Sequence, residues 1–267
     1  MKRAILSALG AAAAQYALRA ASTRPELERT NFRGRAISLA GGPALAASAS
    51  VTGAMGARSV REGAAVLTAG LGSGAVGLYD DVVGARPEQK AYKGFKGHLR
   101  GLREGKITGG LAKIAGVGAS ALLASYLLGS KRGKAFDVAL GAGVIAGSAN
   151  LLNLLDLRPG RAIKASILVG GPLSLGRKGT ALAGPLGAAA SLLPQDLGEQ
   201  IMLGDTGANA LGAVIGVNVA ARTGRFGRLV VLGGLVGLTL ASEKVSFTKV
   251  IESTPGLREI DGWGRRT

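Results

Sequence analysis

Long uncharged stretches recur along most of the chain, and they limit its possible folds more than any single residue does. Nine can be marked, at 4–18, 36–57, 63–79, 114–130, 138–155, 165–176, 179–195, 206–221 and 229–242. A helix that crosses a bilayer needs roughly 20 mostly apolar residues. Several of these stretches reach that length, or reach it once flanking residues are added. Those at 165–176 and 229–242 are short, and need Lys164 or Arg228 to lay its stem along the helix and carry its charge to the interface. Pro43, Pro172 and Pro185 fall inside stretches, which membrane helices tolerate when neighbours satisfy the freed carbonyl. The expectation is an all-α, polytopic integral membrane bundle of about nine transmembrane helices. It forms one domain over 1–267, with cytoplasmic loops at 80–113 and 243–267.

Composition agrees. Only 4% of residues are aromatic, too few for a well-filled soluble core, whereas 45 glycines let membrane helices approach closely. A soluble, Ala/Gly-rich helical protein is the alternative. The absence of cysteine excludes disulfides, thiolate metal sites and a cysteine nucleophile. The net charge of +17 would point to nucleic acid in a soluble protein. Here the basic residues lie between apolar runs, where they meet anionic lipid head groups and phosphorylated substrates. No helix-turn-helix, zinc-finger or RNA-recognition pattern is present, so nucleic acid is not an expected partner.

Charge also orients the chain. With the N-terminus outside and nine spans, 21 of the 33 Lys and Arg fall in inside loops, as the positive-inside rule requires. This orientation independently places Asp80, Asp81, Asp156 and Asp205 on the cytoplasmic side of a cell membrane. Met1-Lys2-Arg3 before an Ala-rich run also fits the start of a signal peptide, which would flip the topology.

Four constellations carry chemistry. Asp80-Asp81 follows an uncharged run at the C-terminal end of a helix, where the dipole disfavours further negative charge. A cation relieves that cost. Mg²⁺ takes oxygen ligands and keeps waters, and one carboxylate is also placed to deprotonate an acceptor phosphate. The plainer reading is a solvated pair, or one paired with Arg86 or Lys90. Asn150, Asn153 and Asp156 are spaced by three, which puts them along one side of a helix. They serve as polar glue between helices or as a stripe facing a substrate cleft. Arg158 and Arg161 in the following turn suit a diphosphate. Asp205, between Gly204 and Thr206-Gly207, is either an ordinary helix cap or part of an anion- and metal-binding helix start. The loop containing Lys93, Lys96, His98, Arg100, Arg103 and Lys106 alternates glycine with cations. It is either a topological signal or a grip on phosphates through residues such as Lys96 and Arg100. His98, the only histidine, reads as a bystander.

Together these motifs resemble the polyprenyl-phosphate N-acetylhexosamine-1-phosphate transferase superfamily. The likeness spans about residues 30 to 216, in the family's order. It comprises Asn31-Phe32-Arg33-Gly34 to Gly41-Gly42, Tyr79-Asp80-Asp81, Asn150-Leu-Leu-Asn153-Leu-Leu-Asp156, and Gly204-Asp205-Thr206-Gly207-Ala208-Asn209-Ala210-Leu211-Gly212. The resemblance implies transfer of a sugar-1-phosphate from a uridine-diphosphate sugar to a polyprenyl phosphate, for cell-envelope polymer synthesis. It implies Mg²⁺ held by Asp205 and Asp81, with Asp80 or Asp81 acting on the lipid phosphate. Asn153 and Asp156 would line the nucleotide side, Lys113 would be the nearby basic residue, and the protein would form a homodimer. The chain departs from the family after Asp156, where Leu-Arg-Pro-Gly-Arg replaces Gly-x-Asp-Gly, and it lacks a histidine-rich loop. A non-catalytic polyprenyl-phosphate binder and a transporter are the competing readings. The transporter reading lacks ionisable groups at mid-membrane.

Overall fold

The computed structural model describes residues 1–31, 33–84, 109–129, 135–176 and 179–265. Lys96, His98 and Arg100 lie outside them. The chain is all-α, 80% helical, with eleven α-helices among the described residues. Each of the nine uncharged stretches yields one helix: α1 (Lys2–Ala21), α2 (Gly41–Met55), α3 (Val60–Tyr79), α4 (Gly109–Leu128), α5 (Ala135–Leu155), α6 (Arg161–Leu175), α7 (Thr180–Leu197), α8 (Gly204–Arg222) and α9 (Arg225–Ser242). Two short helices, α10 (Phe247–Ser253) and α11 (Leu257–Gly262), follow.

Among the described residues four helices are long and apolar enough to cross a membrane: Lys2–Ala21, Gly110–Leu128, Ala135–Leu155 and Arg225–Ser242. Three of the other five fall short for visible reasons. Helices α2 and α6 have only 15 residues each, about 22 Å at the α-helical rise. Part of the 36–57 stretch is not helical at all, because Ala36–Ser38 forms strand β2, antiparallel to β1 (Glu28–Thr30). Helix α8 is long enough, but it carries Thr206, Asn209 and Asn218 and is buried almost throughout. Its neighbours, rather than a surrounding solvent, set its composition.

Helix α8 is the axis of the fold, packed by α2, α3 and α5. Small residues make this possible. A Cβ on Gly212 would lie 2.5 Å from Ser148 O, and one on Gly216 would lie 2.8 Å from Ile145 Cα, so α5 reaches the α8 backbone. At the other flank, a Cβ on Gly77 would sit 2.3 Å from Asp205 O, so the end of α3 presses on the start of α8. Helix α9 leans on α5 through Leu232 and Leu235 over Gly143 and Gly147.

The hairpin ties into the same end of the bundle. Ser38 bridges to Ile201, with Met202 N–H donating to Ser38 O at 2.9 Å. The extended segment that delivers α8 is thereby pinned to β2. Asn31 caps the hairpin turn, accepting from the Arg33 and Arg35 N–H groups and donating to Glu199 at 2.7 Å. Glu199 is buried, pairs with Arg33 at 3.2 Å, and holds φ of +54. Non-glycine residues enter that left-handed region at a cost, which the surrounding contacts must offset.

Candidate functional site

The chain leaves α3 through a π turn, Asp80–Gly84, which sends the two adjacent aspartates in different directions. Asp81 turns towards α8. Its Oδ1 accepts from the Asp205 N–H at 3.0 Å, and its Oδ2 accepts from the Thr206 N–H at 2.9 Å and hydroxyl at 2.6 Å. It caps α8 from another helix, satisfying donors that every helix start leaves orphaned. Its charge sits where the dipole is positive. Gly204 makes room for it. Its φ is +58, and a Cβ there would lie 2.9 Å from both Asp81 oxygens. Burial pushes the Asp81 carboxyl above its ordinary value, against the pull of the Thr206 hydroxyl. Arg29 of β1 donates to Asp81 O at 2.7 Å and fixes the turn from outside.

Asp80 faces a separate cluster. Lys113 Nζ lies 3.8 Å from Asp80 Oδ2 and is hydrogen-bonded to Asp205 Oδ2. With its amide turned so that nitrogen faces the carboxylate, Asn153 donates to Asp205 Oδ1 at 2.9 Å and accepts from Lys113 Nζ at 2.8 Å. Asp80, Lys113, Asn153 and Asp205, from the ends of α3, α4, α5 and α8, therefore meet in one partly buried group. Burial, then a hydrogen bond to Asp205 and its charge, push the Asp80 carboxyl up to about 6, against the attraction of Lys113.

Asp156 lies behind this group. It accepts from the Gly204 N–H, and its buried Oδ2 has no partner. Burial, with the charges of Asp196, Asp205 and Asp81, pushes its carboxyl well up. Asp156 and Arg158 line a cavity of about 220 Å³ with Thr30, Asn31 and Asp196. Asp196, which the sequence reading passed over, also accepts from the Gly160 N–H at 2.9 Å.

Asn150 is one turn from Asn153 and donates to Thr239 of α9 at 3.1 Å. It opens onto an apolar groove of about 390 Å³ between α4, α5 and α9, with Lys113 at its polar edge. Arg161 is placed differently from the diphosphate contact expected for it. It is 4% exposed and bidentate on Asp261 of α11, at 2.8 and 2.9 Å. Lys164 donates to the carbonyls of Ile260, Asp261 and Trp263, so both cations clasp the C-terminal segment. No periodicity in the sequence pairs positions 161 and 261.

The oxygen donors that a divalent ion could use here are the carboxylates of Asp80 and Asp205. Two carboxylates, Asp80 and Asp205, hold like charge against each other with one ammonium between them. Among the described residues no group of three His, Cys, Asp or Glu side chains is arranged around a metal position. A cation here would rest on two carboxylates and fill its shell with water and substrate oxygens, which is the habit of Mg²⁺. Asp81 was expected to share that role with Asp205, but both its oxygens already serve the start of α8. Comparison with known protein families and with curated proteins finds no match to this chain.

Proposed function

We propose that the protein is a membrane transferase that moves a sugar-1-phosphate from a uridine-diphosphate sugar onto a polyprenyl phosphate, with Mg²⁺, for a cell-envelope polymer. One observation carries this reading: Asp80, Asp205, Lys113 and Asn153 converge at the polar edge of an apolar groove. An acid–base–amide cluster beside a lipid-sized slot matches a substrate that is a phosphate on a long hydrocarbon. Mg²⁺, held by Asp205 and Asp80, would neutralise the phosphate charge. Lys113 orients the incoming lipid phosphate, and Asp80, 3.8 Å from Lys113 Nζ, is the carboxylate placed to accept its proton. Asn153 holds Asp205 in place, and the Asp156–Arg158 cavity receives the nucleotide side. Catalysis then rests on positioning and on electrostatics in a partly dehydrated site. On this reading all nine long helices lie in the cell membrane, with the site facing the cytoplasm.

The test uses the purified full chain in nanodiscs with polyprenyl phosphate, Mg²⁺ and a panel of nucleotide sugars, reading released nucleotide. Wild type releases a uridine nucleotide, and Asp205→Asn lowers the rate at least about 100-fold, the scale of removing one electrostatic group. No release with any donor defeats the transferase reading. Arg161 being engaged by Asp261 favours a second reading, a non-catalytic binder of polyprenyl phosphate, which predicts lipid binding without nucleotide release.

A further inference from the structure

The groove between α4, α5 and α9 is apolar along most of its length, with Val117, Gly143 and Leu235 among its walls. Its exceptions are polar and come from different helices. Asn150 and Thr239 satisfy each other at 3.1 Å. Asn209 of α8 also lines the groove, and it is 1% exposed with no partner for its Nδ2. A buried donor without an acceptor costs free energy, and an apolar residue of the same size would avoid that cost. The four-residue step from Asp205 puts Asn209 on the same side of α8. It lies about 6 Å further from the helix start. The orphan amide therefore sits on the groove side of the ion cluster, where the head of a lipid lying in the groove meets Lys113.

We propose that Asn209 is a positioning residue for the lipid substrate: its amide N–H donates to an oxygen of the lipid phosphate whose hydrocarbon chain occupies the groove. Lys113 is shared among Asp205, Asp80 and Asn153. It cannot alone saturate a phosphate that leaves water. Asn209 offers a neutral donor that adds no charge to the cluster. It thereby favours a phosphorylated lipid over the free alcohol. This assignment rests on the reading of the groove as the lipid site.

The experiment compares wild type with Asn209→Leu, as full chains in phosphatidylcholine nanodiscs. It measures affinity for polyprenyl monophosphate and for unphosphorylated polyprenol, with inorganic phosphate as competitor, and the apparent Tm without ligand. The variant is expected to bind the phosphate at least about tenfold more weakly, the scale of one hydrogen bond to a charged group. Its affinity for the alcohol is unchanged. Its apparent Tm is raised by about a few degrees, because the orphan amide is gone. A merely structural asparagine would lower the Tm and leave the phosphate-to-alcohol ratio as it was, and that result overturns the proposal. Displacement of the lipid by inorganic phosphate alone also overturns it, since the chain would then not hold the groove. If wild type shows no preference for the phosphorylated lipid, both this assignment and the transferase reading fall. If wild type prefers it and the variant does so equally, only Asn209 is excluded. Should Asn209→Leu not fold, Asn209→Ala is read by the phosphate-to-alcohol affinity ratio alone, because the cavity it leaves lowers the Tm in either case.

Discussion

Replacing Asp81 by asparagine separates capping from catalysis. The carboxylate accepts three hydrogen bonds from the start of α8, one on Oδ1 and two on Oδ2. Asparagine keeps the shape but has one oxygen. Placed to keep the Thr206 contacts, its amide nitrogen faces the Asp205 N–H, donor against donor. A buried backbone N–H left unsatisfied costs about 1–3 kcal/mol. Removing negative charge from a helix N-terminus costs about 0.3–1 kcal/mol more. The charge is itself buried, and relief of that burial offsets part of this cost. The net is a destabilisation of about 1–3 kcal/mol. At about 2–4 °C per kcal/mol for a chain of this size, the apparent Tm falls by about 2–12 °C. Asp80→Asn is the control. It removes a like charge beside Asp205 and no cap, so its Tm stays level or rises. Thermal unfolding followed by loss of the monodisperse peak in detergent gives both values. If Asp81→Asn melts with wild type while Asp80→Asn falls, the division of labour between the adjacent aspartates is wrong.

The Asp80 carboxyl titrates near 6 in the folded protein against 3.8 ordinarily, so the folded state holds its proton more tightly. The stability it contributes is complete below about pH 4 and is lost as pH rises through 6, worth up to about 3 kcal/mol. Metal-free protein should therefore melt lower at pH 7 than at pH 4.5. Asp80→Asn should remove that share of the slope, and on the proposed reading Mg²⁺ should flatten it; identical wild-type and variant slopes would count against the reasoning. Gly77→Ala should be severe for a single methyl, because its Cβ would meet Asp205 O at 2.3 Å and the neighbour is backbone. Overpacking of this kind costs about 1–3 kcal/mol, and shifting α3 from α8 also separates Asp80 from Asp205. Nucleotide release and Tm should fall together, whereas a wild-type profile would deny the contact.

Much of the secondary structure was legible because apolar, uncharged runs of 12 to 22 residues leave the backbone little alternative to hydrogen-bonding within itself. Each of the nine runs yields a helix, although Ala36–Ser38 of one run is a strand. Crossing is a separate matter. Among the described residues only four helices combine enough length with enough hydropathy, and the inner helix α8 shows why a count of apolar runs overreaches. Once surrounded by other helices, a segment tolerates Asn209 and Asn218, and its composition no longer reports on lipid. The hairpin was missed because Ala36–Ser38 is as apolar as a helix start, and its strand character comes from pairing with Thr30 and Ile201.

The site divides along the same line. Residue types and spacing along the chain were enough to single out Asp80, Asp81, Asn153, Asp156 and Asp205, since carboxylates and amides beside apolar runs are costly anywhere they lack partners. Which of them face one another depended on packing. The π turn after α3 split Asp80 from Asp81, Gly77 and Gly204 set the approach to α8, and Asp261, distant in sequence, engaged Arg161. Charge and periodicity are properties of neighbours in the chain, whereas a hydrogen bond needs two groups about 3 Å apart, and only the packed helices bring residues 81 and 205, or 161 and 261, to that distance.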